Sequence, residues 1–382
     1  MQDHPLERAA WVEIDTKALR ANMKEIRERV GYDRQVCAVV KADAYGHGAV
    51  EVAKLELQSG ANRLAVATVD EGVKLRKAGI KAPILMLAEP PISAIPLLLE
   101  YDITPTVTTI DFALSLGEMA DAAGRCHPFH LKVNTGMNRI GVLDSEVVEF
   151  LKAISFHRGL ELQGTFTHFA TADESETWDF KKQLDRFRKV IESMRQADFD
   201  PGIVHCANSA CIVRYPETYF DMVRPGIILY GLHPSKVTYG AIDLQPAMSV
   251  QCEVTHVKTP ARGEGVSYGL KYRSPSGVQV ATLPIGYADG LRRSLSGRMM
   301  VLHEGQRLPQ VGTICMDQCM IEVDPLRDVR KHIKPVHIGD RVTIVGCNGG
   351  DELTLDMMAN AAGTINYELA CAFGMRMPKV YI

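Results

Sequence analysis

No Cys-x-x-Cys pair occurs in this 382-residue sequence, although nine cysteines are scattered through it, at 37, 126, 206, 211, 252, 315, 319, 347 and 371. Their spacing argues against a zinc knuckle, and no metal site is expected. An odd, dispersed set is simplest as the reduced thiols of a cytoplasmic protein. No stretch is long and apolar enough to span a bilayer. The start, Met1-Gln2-Asp3-His4-Pro5, has neither a basic n-region nor an apolar h-region, so export is not expected. The formal net charge is only −3, which leaves no excess of either sign to suit a nucleic acid or a membrane surface. Internal repeats and low-complexity segments are also lacking.

What is present is a long chain with an ordinary soluble composition, 46% hydrophobic and 23% charged, which suits two globular domains. Eight short apolar runs, at 36–41, 62–67, 83–88, 103–107, 128–133, 162–167, 203–207 and 221–224, alternate with amphipathic segments such as 16–30, 69–79, 110–123, 144–156 and 176–197. Eight βα units predict a closed (β/α)8 TIM-like barrel over residues 12–236. An open doubly wound sheet is the alternative, but no Gly-x-Gly-x-x-Gly turn follows the first run. Beyond Gly231-Leu232-His233-Pro234 the pattern changes. Strand-like segments at 248–257, 278–285, 298–303, 309–315, 319–324 and 340–346 are separated by turns, which predicts a mainly β C-terminal domain over 237–382. Residues 1–11 are expected to pack near that domain.

In such a barrel the C-terminal strand ends build the active site, and the unusual residues fall there. Lys41 ends the first run. Its burial would favour the neutral amine, a nucleophile toward aldehydes, although a lysine that merely snorkels is the plainer reading of the residue alone. Lys132 lies at the end of the fifth run, with Asn134 and Arg139 in its loop, His168 at the end of the sixth, Asn208 and Ser209 at the end of the seventh, and Arg224-Pro225-Gly226-Ile227 at the end of the eighth. Barrels of this kind often bind phosphate at the loops after strands 7 and 8, where Ser209 offers a hydroxyl and Gly226 permits close backbone approach. A phosphate pocket opposite a strand-end lysine suggests pyridoxal 5'-phosphate (PLP), held as a Schiff base on Lys41.

The segment Ala38-Val39-Val40-Lys41-Ala42-Asp43-Ala44-Tyr45-Gly46-His47-Gly48 resembles the PLP-lysine signature of the alanine racemase family. The segments 132–141, 167–174, 208–209, 222–231, 266–269, 285–290, 315–318 and 365–368 resemble that family in the same order, so the likeness covers nearly the whole chain. The resemblance implies interconversion of L-alanine and D-alanine, and hence a supply of D-alanine for bacterial peptidoglycan. It implies two catalytic bases, Lys41 and Tyr268, with Tyr268 supplied by the second subunit of a homodimer. By the same resemblance Tyr45, Ser209, Gly226, Ile227 and Tyr367 surround the cofactor phosphate, supported by Asn208. Arg224 faces the pyridine nitrogen with His168 behind it. Arg139 and the Met316 backbone, the latter supplied with Tyr268 by the second subunit, bind the substrate carboxylate, and Lys132 matches a lysine that is carbamylated in many members. Tyr287, Asp173 and Arg292 match residues of the substrate entrance.

In one place the sequence departs from the family. Relatives often carry Gly-Arg-x-Cys-Met-Asp, whereas this chain reads Gly312-Thr313-Ile314-Cys315-Met316-Asp317. Thr313 is therefore expected to remove a positive charge from the entrance. The alternatives are a broader-specificity or serine racemase, a PLP-dependent decarboxylase and a non-catalytic PLP carrier. Arg224 opposes the decarboxylase, which uses an acidic residue at the pyridine nitrogen, and the second domain opposes the carrier.

Overall fold

A computed structural model describes residues 8–275, 278–323, 335–374 and 376–382. The chain forms two compact units, one holding 18–44 and 49–245, the other holding 8–17, 45–48 and the described residues from 246 onward. The sequence reading drew its division between 236 and 237. Contacts group 237–245 with the first unit, and 12–17 and 45–48 with the second. Of the N-terminal segment expected beside the β domain, residues 1–7 lie outside the described residues, as does residue 324 of the strand expected at 319–324.

The first unit is a parallel βα barrel. Its strands, numbered 1 to 8, are Gln35–Val39, Arg63–Val66, Ile84–Met86, Ile103–Thr104 with Thr106–Val107, His127–Asn134, Leu160–Phe166, Ile203–His205 and Met222–Val223. Each pairs in parallel with its neighbour from 1 to 4 and from 4 to 7, and strand 8 returns to strand 1. Backbone bonds from Asp221 N to Val204 O (3.1 Å) and from Arg224 N to Ala207 O (2.9 Å) join strands 7 and 8. Strand 4 is split at Pro105, which has no N–H to give the ladder. The helices follow from amphipathic spacing and caps. Phe180, Leu184, Phe187, Ile191 and Met194 make one buried stripe of Trp178–Gln196, and Thr68 and Glu71 form a capping box at the start of Val69–Lys77.

The second unit is built on a ten-stranded sheet. Its path runs His256–Lys258, Gln279–Leu283, Cys319–Val323, Gln306–Val311, Met300–His303, Arg341–Asn348, Met248–Glu253, Ala10–Ile14 and Lys379–Tyr381, with Asp351–Leu353 beside Arg341–Asn348. The chain's first described strand thus lies between Met248–Glu253 and its last strand. Two helices that the turn-rich reading of this region did not anticipate, Leu355–Ala362 and Asn366–Phe373, precede that last strand. Among the described residues no helix is long and apolar enough to cross a membrane.

Candidate active site

The expected first strand stops earlier than Lys41, at Val39, and Lys41 opens a tight turn, Lys41–Tyr45. Ala42, Asp43, Ala44 and Tyr45 all have positive φ, from 51° to 56°. Left-handed backbone costs an L-residue roughly 1–2 kcal/mol, so the turn persists only if its surroundings hold it. Glu71 accepts from Ala42 N at 2.6 Å and from Ala67 N at 2.8 Å, which ties the ends of strands 1 and 2 to one carboxylate. Asp43 Oδ1 accepts from Ala49 N and from Lys74 Nζ, both at 3.0 Å. The backbone of Lys41 is therefore fixed by groups from the two following helices.

Across the barrel, Arg224 is buried at the end of strand 8. Its Nη1 donates to His205 Nδ1 at 2.8 Å, and its Nη2 donates to Thr167 O at 2.9 Å and to His168 Nδ1 at 3.3 Å. A guanidinium has no acceptor, so both histidines must offer an unprotonated Nδ1. His205 Nε2 then carries the hydrogen and donates to His130 Nδ1 at 2.8 Å, and His130 Nε2 points in turn to Gln163 Oε1 at 3.4 Å. Gln163 Oε1 also accepts from Arg63 Nη1 at 2.7 Å. Burial, then the nearby cations, holds His205 and His168 far below the usual imidazole range. Burial and the Arg63 charge bring His130 down to about 3. All three histidines are neutral, and the charge stays on Arg224.

Lys132 is buried on strand 5, on the same face as His130 because strand residues alternate. Its ammonium lies 4.7 Å from the centre of the Phe166 ring, over which Arg224 also lies, at 5.2 Å. Burial, then the charges of Arg224, Arg139 and Lys41, pushes its pKa well down. Ser209 Oγ accepts from Gly226 N at 2.9 Å, joining the loops after strands 7 and 8, and Asn208 Oδ1 caps the following turn by accepting from Cys211 N at 3.0 Å. Ile227 is buried beside Gly226, and Arg139 is exposed on the loop after strand 5.

In the β unit, Tyr268 is 72% and Met316 52% exposed. The Met316 carbonyl accepts from Ala288 N at 3.0 Å, and that of Cys315 from Tyr287 N at 3.0 Å, so the loop of Met316 is bound to that of Tyr287. The Tyr45 and Tyr367 rings lie 6.1 Å apart. Arg292 pairs with Glu368. Thr313 is buried, and its hydroxyl donates to Tyr268 O at 2.8 Å.

The barrel thus gathers Lys41, Lys132, His168, Asn208, Ser209, Arg224, Gly226 and Ile227 at its strand ends, and the β unit carries Tyr45, Tyr268, Tyr287, Arg292, Met316 and Tyr367. Sequence reasoning missed His205, His130, Gln163 and Glu71. The available signal was a histidine inside each of two buried strands, and a glutamate three residues after Thr68.

Two family models match the chain: alanine racemase, N-terminal domain, over residues 14–234, and alanine racemase, C-terminal domain, over 247–381. The chain is 46% identical to an alanine racemase of Desulforamulus reducens over 97% of its own length and 98% of the relative's. It is 43% identical to one of Methanococcus maripaludis, with all of both chains covered. The crystal structure of a Bacillus anthracis alanine racemase with bound L-Ala-P superposes with a TM-score of 0.93 at 39% identity, covering 99% of this chain and 96% of the other. The chain belongs to the alanine racemase family.

Proposed function

We propose that this chain is a PLP-dependent alanine racemase that uses Lys41 and Tyr268 as its two bases, acts as a homodimer in the cytoplasm, and supplies D-alanine for peptidoglycan. The observation that carries the reading is the cationic strand-end cluster. Buried Lys132 lies among the positive charges of Arg224, Arg139 and Lys41, which push its pKa down. Such a set suits a ligand bearing a phosphate dianion and a phenolate, which is the chemistry of PLP, the cofactor of this family. When bound, PLP supplies a conjugated electron acceptor that acidifies the α-C–H of a joined amino acid.

The protein's own groups do the rest. Lys41, on its pinned turn, holds the cofactor and exchanges the α-proton on one face, and Tyr268 exchanges it on the other, since inversion needs one proton donor and one acceptor on opposite sides. By the family's pattern Arg224 would hold the pyridine nitrogen. With its histidines neutral it keeps its charge and can only donate, so it would disfavour a proton on that nitrogen. By the same pattern Ser209, Gly226, Ile227, Tyr45 and Tyr367 would hold the phosphate, with Asn208 supporting the turn that starts at Ser209. Arg139, and the Met316 backbone supplied with Tyr268 by the second subunit, would bind the substrate carboxylate. A neutral Lys132 amine adds to carbon dioxide with loss of a proton, and the carbamate turns a buried cation into an anion able to orient Arg139.

The test is chiral analysis of L-alanine, L-serine and L-lysine after incubation with PLP-loaded protein. The expected result is racemised alanine, with serine and lysine far slower. Equal rates on lysine, or no racemisation of alanine, would overturn the reading. Borohydride treatment followed by peptide mapping should place the pyridoxyl label on Lys41, and a label on Lys132 would reverse the assignment.

A further inference from the structure

Tyr268 stands in a backbone that ordinary residues avoid. Ser267 has φ 66° and ψ −177°, a conformation otherwise kept for glycine, and Gly269 and Leu270 follow with φ 73° and 48°. Two hydroxyls hold this turn against the neighbouring one. Ser267 Oγ donates to Thr313 O at 2.5 Å, and Thr313 Oγ1 donates back to Tyr268 O at 2.8 Å. Each residue gives its single hydroxyl hydrogen to the other turn's backbone. Gly312 permits the approach, because a Cβ there would lie 2.8 Å from Val266 O and 2.9 Å from Ser267 Cβ. The turn of Thr313 is itself anchored, with Ile314 N bonded to Ser296 Oγ at 3.0 Å and Cys315 N to Gln318 O at 2.9 Å. Thr313 is only 3% exposed, so its hydroxyl bonds away from solvent, where it holds geometry best.

We propose that Thr313 is a positioning residue for Tyr268. Together with Ser267 it clamps a strained turn so that the phenol is presented at a fixed distance and angle, the task this chain gives to a position where relatives often carry arginine. Strain held by a reciprocal pair of bonds keeps the side chain's origin from wandering, and a proton-transfer group misplaced by an ångström loses most of its effect. The inference rests on the reading of Tyr268 as a base.

The test uses PLP-loaded full-length protein carrying Thr313→Val, which keeps the shape and loses the donor, and Thr313→Ser, which keeps the donor. Hydrogen–deuterium exchange of the peptide spanning 262–275 should speed up by about tenfold in Thr313→Val, the value of one hydrogen bond, and return to the wild-type rate in Thr313→Ser. The equilibrium constant between enantiomers is one, so kcat/KM must fall equally in both directions, on the order of 10- to 100-fold for Thr313→Val. Isotope effects with α-deuterated L- and D-alanine need not move together. The effect for the enantiomer whose α-hydrogen meets Tyr268 should rise, and that for the other should fall toward one. Unchanged exchange in Thr313→Val, or isotope effects that move together, would overturn the clamp. A Tyr268→Phe enzyme with full activity would instead remove Tyr268 as a base and the clamp's purpose with it, whereas an inactive one leaves the clamp to be judged on its own results.

Discussion

Arg224 and Arg63 can only donate, so the tautomers of His205 and His130 between them are set without reference to pH. His205→Ala leaves a buried guanidinium N–H and the Nδ1 of His130 without a partner. A stability loss of about 2–3 kcal/mol is expected from urea unfolding, and a change below about 0.5 kcal/mol, typical of surface positions, would contradict the relay. Glu56 supplies a second test at this scale. Its carboxyl is fully buried, neither oxygen has a hydrogen-bond partner among the described residues, and burial raises its pKa from 4.5 to about 8. The folded form therefore holds a proton that the unfolded chain releases. The stability tied to that proton is complete below 4.5 and is lost as pH rises toward 8, at about 1.4 kcal/mol per unit. Glu56→Gln should lack this slope between pH 5 and 8, and an identical slope in both proteins would contradict the buried acid. The strand-end positions of Lys41, His168 and Arg224 were legible because polar groups stand at the ends of apolar runs. His205 and His130 were not, because the partners that make them a relay lie 19 and 75 residues apart.

At the scale of elements, the eight barrel strands were legible to within a few residues, since each is a β-branched run bounded by turns. The left-handed turn after strand 1 was not. Ala-Asp-Ala-Tyr carries no glycine, and its own preference is right-handed. Glu71 and Asp43, bonded to groups on the turn and on following helices, help hold the other hand. Glu71→Ala should therefore cost about 1–3 kcal/mol through unsatisfied N–H groups and speed amide exchange over residues 41–45, while Glu71→Gln retains one acceptor and falls between. Unchanged exchange at 41–45 in Glu71→Ala would show that the turn holds itself. The helices at 355–373 escaped the reading because short segments among strands carry too few turns to show a period.

At the scale of the whole molecule, the sheet that joins 10–14 to 248–253 and 379–381 could not be read along the chain, because its partners are more than 230 residues apart. The same unit leaves Tyr268, Met316 and Tyr287 exposed, a grouping that suits the homodimer proposed above. If each site takes Lys41 from one chain and Tyr268 from the other, two crippled proteins can repair each other. Lys41→Ala and Tyr268→Phe homodimers each lack one base in every site and should be nearly inactive. A mixed dimer has one site with both bases intact and one with neither. Random mixing by joint unfolding and refolding makes roughly half the dimers mixed, so racemisation of alanine should return to about a quarter of the wild-type rate. Subunit exchange confirmed by mass, with no activity returning, would contradict the two-base site shared between chains.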